Sequence, residues 1–229
     1  MNILVIIEHK NGVIHRMSRE AIAGAQKIGG NVTALVIGEN SDSVADELSN
    51  FQIEKTLLVT NEKVTSYNVD GYKEIILQIV KVVKPEFIIT GHTYQARDFM
   101  PRLSASLDIP FIPDLVSIED SSYIKQIMNS KLNASISSSN GPVLISFQSA
   151  SFSEENISKG SSPLEKFEVN LDASNIKSTV DEPFQESASE VDLESAELIV
   201  SVGRGIEKEE NTSIAFDLAQ VLGAEVSAS

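Results

Sequence analysis

The sequence predicts an α/β protein: a parallel, Rossmann-like sheet with an antiparallel hairpin extension, followed by the start of a second α/β unit. Short apolar runs and helical-period stretches alternate four times before Pro110, the pattern of a parallel sheet covered by helices on both faces. After Pro110 the runs continue without helices between them. The charge then steps, from net −3 over residues 1–150 to net −12 over 151–229, which marks a change of domain or a solvated connector.

Taken in order, Ile3 to Ile7 is a continuous apolar run, short enough for a strand buried on both faces. Met17, Ala21, Ala25 and Ile28 share a helical face over residues 17–28, closed by Gly29-Gly30. Val32 to Ile37 is the second strand, Val44, Leu48 and Phe51 mark a short helix, and Lys55 to Thr60 is the third strand. Tyr72, Ile75, Ile76, Ile79, Val80 and Val83 form the strongest 3.6-residue pattern, stopped by Pro85. Phe87 to Thr90 is the fourth strand. Phe99, Leu103 and Leu107 lie on a fourth helix with Pro101 in its first turn. Leu115 to Glu119, Tyr123 to Met128, Lys131 to Ser137 and Val143 to Gln148 read as short strands, the last two joined by an Asn140-Gly141 hairpin turn. One strand is expected at Phe167 to Leu171. The domains expected are 1–173, an acidic linker over 174–192, and the opening of a second domain over 193–229.

That last segment begins with a β-branched run, Leu198 to Val202, followed by Gly203-Arg204-Gly205. Thr212 or Ser213 is expected to cap a helix bearing Ile214, Ala215, Leu218, Val221 and Leu222, ended by Gly223. Ala224 to Ser229 reads as the next strand. A strand, a glycine turn and a helix bring backbone N–H groups and one Arg to where a phosphate would sit. Gly203-x-Gly205 lacks the third glycine of a dinucleotide fingerprint, so spacing alone leaves phosphate contact and an ordinary tight turn both open.

A net charge of −15 without a basic cluster argues against nucleic acid and anionic membranes as partners. The absence of Cys excludes disulfides and thiolate metal sites. The opening MNILVIIEHK is neither signal peptide, transit peptide nor membrane span, which suits the cytoplasm, or the mitochondrial matrix in a eukaryote. His9, His15 and His92 have no metal-ligand spacing. His9 and His92 each follow a strand and read either as exposed loop residues or as groups at the carboxyl edge of the sheet, where open α/β folds bind ligands. Glu207, Glu209 and Glu210 are explained by a helix dipole and solvation. Ser135 to Ser139 lack a nucleophile context.

VSVGRGIEKEENTSIAFDLAQVLGAEVSAS, from Val200 onward, resembles the start of the flavin domain of the electron transfer flavoprotein α subunit, or nitrogen-fixation type B protein, family. ILVIIEHKNG, ARDFMPRLSASLDIPFIPDLVSIE and KLNASISSSNGPVLISFQSASF resemble that family's first domain, in order and spacing. The resemblance implies an N-terminal α/β domain that packs on an electron transfer flavoprotein β subunit and a C-terminal domain that holds FAD. It also implies a carrier rather than an enzyme, taking electrons from dehydrogenases such as those of acyl-CoA oxidation and passing them to a membrane quinone oxidoreductase, or in some relatives towards nitrogenase. Residue by residue, Arg204 matches the arginine on the FAD pyrophosphate, Gly203 and Gly205 its flanking turn glycines, and Ser229 the serine opening the next flavin-contacting motif. The family continues beyond that point with further flavin contacts, so this chain is expected to present one wall of the site and to bind FAD weakly by itself. Gln148 stands where relatives commonly have an Arg. The competing expectation is a nucleotide-binding α/β protein using the sheet edge around His9 and Gly91-His92, although none of Gly12, Gly38 or Gly91 belongs to a phosphate loop with Lys-Ser/Thr. A third is an assembly module without a cofactor.

Overall fold

Five consecutive buried residues, Ile3 to Ile7, make β1 (Asn2–Ile7) the strand around which the first unit is built. A computed structural model describes residues 1–119, 122–138, 141–181, 193 and 196–228. It divides into two units, Met1–Val180 and Asp181–Ser229.

In the first unit β1 is followed by a small hairpin, β2 (His9–Lys10) and β3 (Val13–Ile14), turned by Asn11 and Gly12 with φ of 52° and 80°. Two left-handed residues match the twist of a two-residue hairpin, and Asn-Gly is the pair that adopts them most easily. Then come α1 (Arg16–Ile28), β4 (Asn31–Ile37), α2 (Ser41–Leu48), β5 (Lys55–Val59), α3 (Val69–Val83), β6 (Phe87–Gly91) and α4 (Tyr94–Leu107). β7 (Phe111–Glu119), β8 (Ser122–Ile127), β9 (Leu132–Ile136), β10 (Val143–Phe147) and β11 (Leu164–Lys166) complete the unit.

These strands form one sheet in the order β11-β5-β4-β1-β6-β10-β7-β8-β9. It is parallel from β11 to β7, and only the β7–β8 and β8–β9 pairs are antiparallel. Alternation along β1 splits the core: Ile3, Val5 and Ile7 join one cluster with Ala21 and Ile22 of α1, while Leu4 and Ile6 join the other with Ile75 and Phe99. Helix and sheet approach closely at Gly24, where a Cβ would lie 2.5 Å from the Phe147 ring.

Four expectations are corrected. The strands at 131–137 and 143–148 do not form a hairpin: β9 pairs with β8, and β10 inserts in parallel between β6 and β7. Asn140 lies outside the described residues, and all five residues of β10 are buried, which demands neighbours on both sides. Pro101 is not in a first turn. Thr93 caps α4 through the Ala96 N–H at 3.1 Å, so the helix starts at Tyr94 and Pro101 sits in its second half. The last strand is β11, beside β5, rather than 167–171. Phe167, Val169 and Leu171 instead pack on the second core cluster.

The start of the expected linker is docked rather than free. Asp70 accepts from the Lys177 N–H, the Ser178 N–H and the Ser178 hydroxyl at 3.0, 3.1 and 3.0 Å, and Asn68 donates to the Ser178 carbonyl at 2.8 Å. Lys63 Nζ donates to the Leu171 carbonyl at 2.6 Å, and Ile176 packs on the same core cluster. The first unit therefore runs to Val180.

Candidate functional site

The second unit consists of β12 (Ile199–Val202), α5 (Thr212–Leu222) and β13 (Glu225–Ala228). Its two strands are parallel, Ile199 opposite Glu225 and Val202 opposite Ala228, so both end at one edge. Ser201 and Ser227 tie them further through their hydroxyls at 2.8 Å. Gly203, Arg204 and Gly205 leave β12 at that edge, and Ala228 ends β13 beside them. Ser229 lies outside the described residues.

The turn is ordered. Arg204–Ile206 is one turn of 3₁₀ helix, with the Ile206 N–H on the Gly203 carbonyl at 3.0 Å and the Glu207 N–H on the Arg204 carbonyl at 3.2 Å. Gly203 is extended, with φ −117° and ψ −176°, a conformation open to any residue. A Cβ on Gly205 would meet nothing within 4 Å. The backbone of Gly203 thus makes no demand for glycine, and the space over Gly205 is open. Arg204 is exposed and, among the described residues, has neither hydrogen bond nor ion pair to its guanidinium.

α5 begins differently from the expectation. Its cap is Asn211, whose side chain donates to the Ile206 carbonyl at 2.9 Å and leaves the first-turn N–H groups without a side-chain partner. Thr212 and Ser213 donate their hydroxyls back to the carbonyls of Glu209 and Glu210 at 2.6 and 3.1 Å. The 3₁₀ turn Glu209–Asn211 runs directly into α5 and its Glu209 carbonyl takes the Thr212 N–H, so what this loop offers an anion such as pyrophosphate is chiefly the exposed Arg204 guanidinium, unpaired among the described residues. Glu207, Glu209 and Glu210 in the same loop oppose it, so the net attraction is modest. The helix face is also corrected: only Ala215 and Ala219 are buried, whereas Ile214, Leu218, Val221 and Leu222 are exposed.

The other expected edge is that of the large sheet. Strand order reverses between β1 and β6, the position at which open α/β sheets form a ligand crevice. Here it is closed. Glu8, just past β1, accepts from the Thr93 hydroxyl at 2.5 Å and bonds Ser18 through its backbone, while Gly91 abuts Met17 so tightly that a Cβ would lie 2.5 Å away. His9 and His92 are not exposed loop residues. His9 Nε2 donates to the Ile37 carbonyl at 3.1 Å, which leaves Nδ1 as a buried acceptor without a partner among the described residues. His92 Nδ1 bonds the buried Ser146 hydroxyl at 2.8 Å, and that oxygen accepts from the Asp114 N–H at 3.2 Å. Burial lowers the pKa of both histidines; Asp114 partly offsets this for His92, and the Ile37 bond does so for His9. These histidines hold strand ends together. Sequence reasoning missed them because their partners lie 28 and 54 residues away. Among the described residues no group of acids and histidines could hold a metal, and no helix is long and apolar enough to cross a membrane.

The chain thus comprises a nine-stranded α/β unit and a smaller unit of strand, turn, helix and strand. Comparison with known families agrees: the profile described as "Electron transfer flavoprotein domain" matches residues 3–172, and that of "Electron transfer flavoprotein FAD-binding domain" matches residues 192–229. The chain belongs to the electron transfer flavoprotein family, on its α-subunit side. It is 29% identical to the "Electron transfer flavoprotein subunit alpha" of Bacillus subtilis strain 168, over 99% of this chain and 71% of the relative. It is 28% identical to "Protein FixB" of Clostridium saccharobutylicum, over 98% of this chain and 70% of that protein. It is also 28% identical to the "Probable electron transfer flavoprotein subunit alpha, mitochondrial" of Caenorhabditis elegans, over 99% of this chain and 68% of the relative. The family is one of electron carriers with a flavin cofactor, and its α subunits act with β subunits.

Proposed function

We propose that this chain is the α subunit of a heterodimeric FAD-dependent electron carrier, and that Arg204 holds the cofactor's pyrophosphate. The observation that carries this reading is the exposed Arg204 guanidinium, unpaired among the described residues, at the shared carboxyl edge of β12 and β13. Gly203 and Gly205 keep side chains out of the way of the phosphates, and Ser229 is a further cofactor contact by its match to the family's motif. When bound, the FAD supplies the redox chemistry, between dehydrogenases of the acyl-CoA type and a membrane quinone oxidoreductase. The protein's part is to anchor the phosphates and, through the first unit, to engage a β subunit. It works in the cytoplasm or the mitochondrial matrix, without membrane insertion.

One charge-assisted bidentate contact contributes about 1.5–3 kcal/mol, well short of the roughly 8 kcal/mol of a micromolar complex. The chain by itself therefore binds FAD weakly. Titration of the free chain with FAD, followed by flavin fluorescence, is expected to give a dissociation constant above about 100 µM, weakened about tenfold or more by Arg204→Gln. A stoichiometric flavin that co-purifies, or equal affinities in the two proteins, would sink the corresponding part of the reading. Co-expression with a β subunit and size exclusion tests the assembly, a chain that elutes alone counting against it.

A further inference from the structure

We infer that Asn211 is a positioning residue for Arg204: its side-chain amide holds the strained loop on which the Arg204 turn rests. Between that turn and α5 the backbone takes an unusual course. Glu207 has φ 63° and ψ −43°, and the Lys208 N–H donates across it to the Ile206 carbonyl at 2.7 Å. A three-residue turn of this hand is rare and strained at a residue with a Cβ, and it persists only where the surroundings hold it. Ile206 is where they do so. Its N–H donates to the Gly203 carbonyl at 3.0 Å, and its carbonyl accepts a second bond, from Asn211 Nδ2 at 2.9 Å. Ile206 is thus pinned at both ends, to the residue before Arg204 on one side and to the start of α5 on the other.

Asn211 is available for this work because its side chain does not cap α5. A capping asparagine has an extended backbone and accepts from the first-turn N–H groups through Oδ1. At Asn211 φ is −79° and ψ −11°, so the helical course runs through it from the 3₁₀ turn Glu209–Asn211, and its side chain makes no capping bond. The amide reaches back five residues instead. Asn211 is half-buried, whereas Arg204 is exposed and its guanidinium unpaired among the described residues. With no side-chain partner, that guanidinium is aimed by its backbone alone. The bonds from Asn211 to Ile206 and from Ile206 to Gly203 set the backbone on both sides of it. Once the amide is removed, Glu207 can relax to negative φ, which swings the Arg204 turn away from the edge of β12 and β13. The inference rests on the carrier reading, in which Arg204 meets the pyrophosphate; Asn211 acts through Arg204 rather than on the cofactor.

Titration of the isotope-labelled chain with FAD to several millimolar, followed by the amide shifts of β12 and β13, reads the affinity even where it is weak. Asn211→Ala is expected to raise the dissociation constant about threefold to tenfold, the range that one neutral hydrogen bond supports. In the Arg204→Gln chain the same substitution should change it by less than about twofold, since the residue being positioned is gone. A merely structural role would weaken both chains alike. Rescue is the second arm. Glycine takes positive φ freely, so in the Glu207→Gly chain Asn211→Ala should again cost less than about twofold. In Glu207→Ala, which loses the same carboxylate but keeps a Cβ, the full cost should return. Hydrogen exchange without FAD should show the Ile206 and Lys208 amides losing protection about threefold or more in Asn211→Ala, while amides of β12 keep theirs. Equal affinities in the unmodified chain and Arg204→Gln would overturn the pyrophosphate reading and this inference with it. A loss with Arg204→Gln but none with Asn211→Ala would spare that reading and overturn the inference alone. So would an Asn211→Ala penalty that keeps its size in the Arg204→Gln chain.

Discussion

Asp70→Ala tests whether the segment ahead of the second unit is held by the first. The Asp70 carboxylate accepts three hydrogen bonds from Lys177 and Ser178 and lies in the first turn of α3. Partial burial pushes its pKa up, but the Lys177 N–H, the Ser178 hydroxyl and N–H, and nearby Lys73 outweigh that and leave it below the ordinary value. Each bond is worth about 0.5–1.5 kcal/mol net, and solvent access to the carboxylate puts the three together nearer 1–2 kcal/mol. For a unit of this size that corresponds to a melting-point loss of about 3–6 °C. Hydrogen exchange is the sharper assay: the Lys177 and Ser178 amides should lose protection at least tenfold, while amides of β1 keep theirs. Because the native pKa is depressed, the contribution is complete above the unfolded value near 4 and disappears as the pH falls through the native one. Asp70→Asn, which keeps an acceptor, should fall between the two proteins. If Lys177 and Ser178 exchange no faster in Asp70→Ala, the carboxylate does not hold the segment.

Gly24→Ala raises helix propensity by up to about 1 kcal/mol but sets a methyl against the Phe147 ring, which is 1% exposed and wedged against Phe152 at 4.4 Å. A net loss of about 1–3 kcal/mol is expected in urea unfolding with an unchanged slope, and equal or greater stability would show that the ring can yield. His9 and His92 have lowered native pKa values, so the unfolded chain takes up their protons first and stability should decline as the pH drops below about 6.5. His92→Asn, which can still bond Ser146, should flatten part of that decline; an unchanged pH profile would remove His92 as a source.

The parallel part of the fold was legible because each element declares itself locally. The continuous apolar runs of β1 and β4, the 3.6-residue stripe of α3, and Gly29 after α1 require no knowledge of partners. Asn140-Gly141 misled for the same reason. It is a local turn signal, whereas the place of β10 is settled by burial of all five residues of Val143–Phe147, a run like that of β1 that belongs inside a parallel sheet. Asn11-Gly12, a true hairpin turn, went unread between two strands of only two residues each. Of the candidate site, the Arg204 turn and its strand and helix were visible, but the Asn211 cap was not, since Thr212 and Ser213 spend their hydroxyls on carbonyls behind them.

By itself, then, the sequence determined the class of the protein, most of its longer elements and the family to which it belongs, because periodicity, caps and motif residues act over a few positions. Tertiary structure decided which strands are neighbours, that the crevice between β1 and β6 is closed by Glu8 and Met17, that residues 172–178 belong to the first unit, and that β9 is left with an open edge. Each of those rests on contacts between residues far apart in the chain. Their energy depends on what else is buried beside them, which no local pattern records.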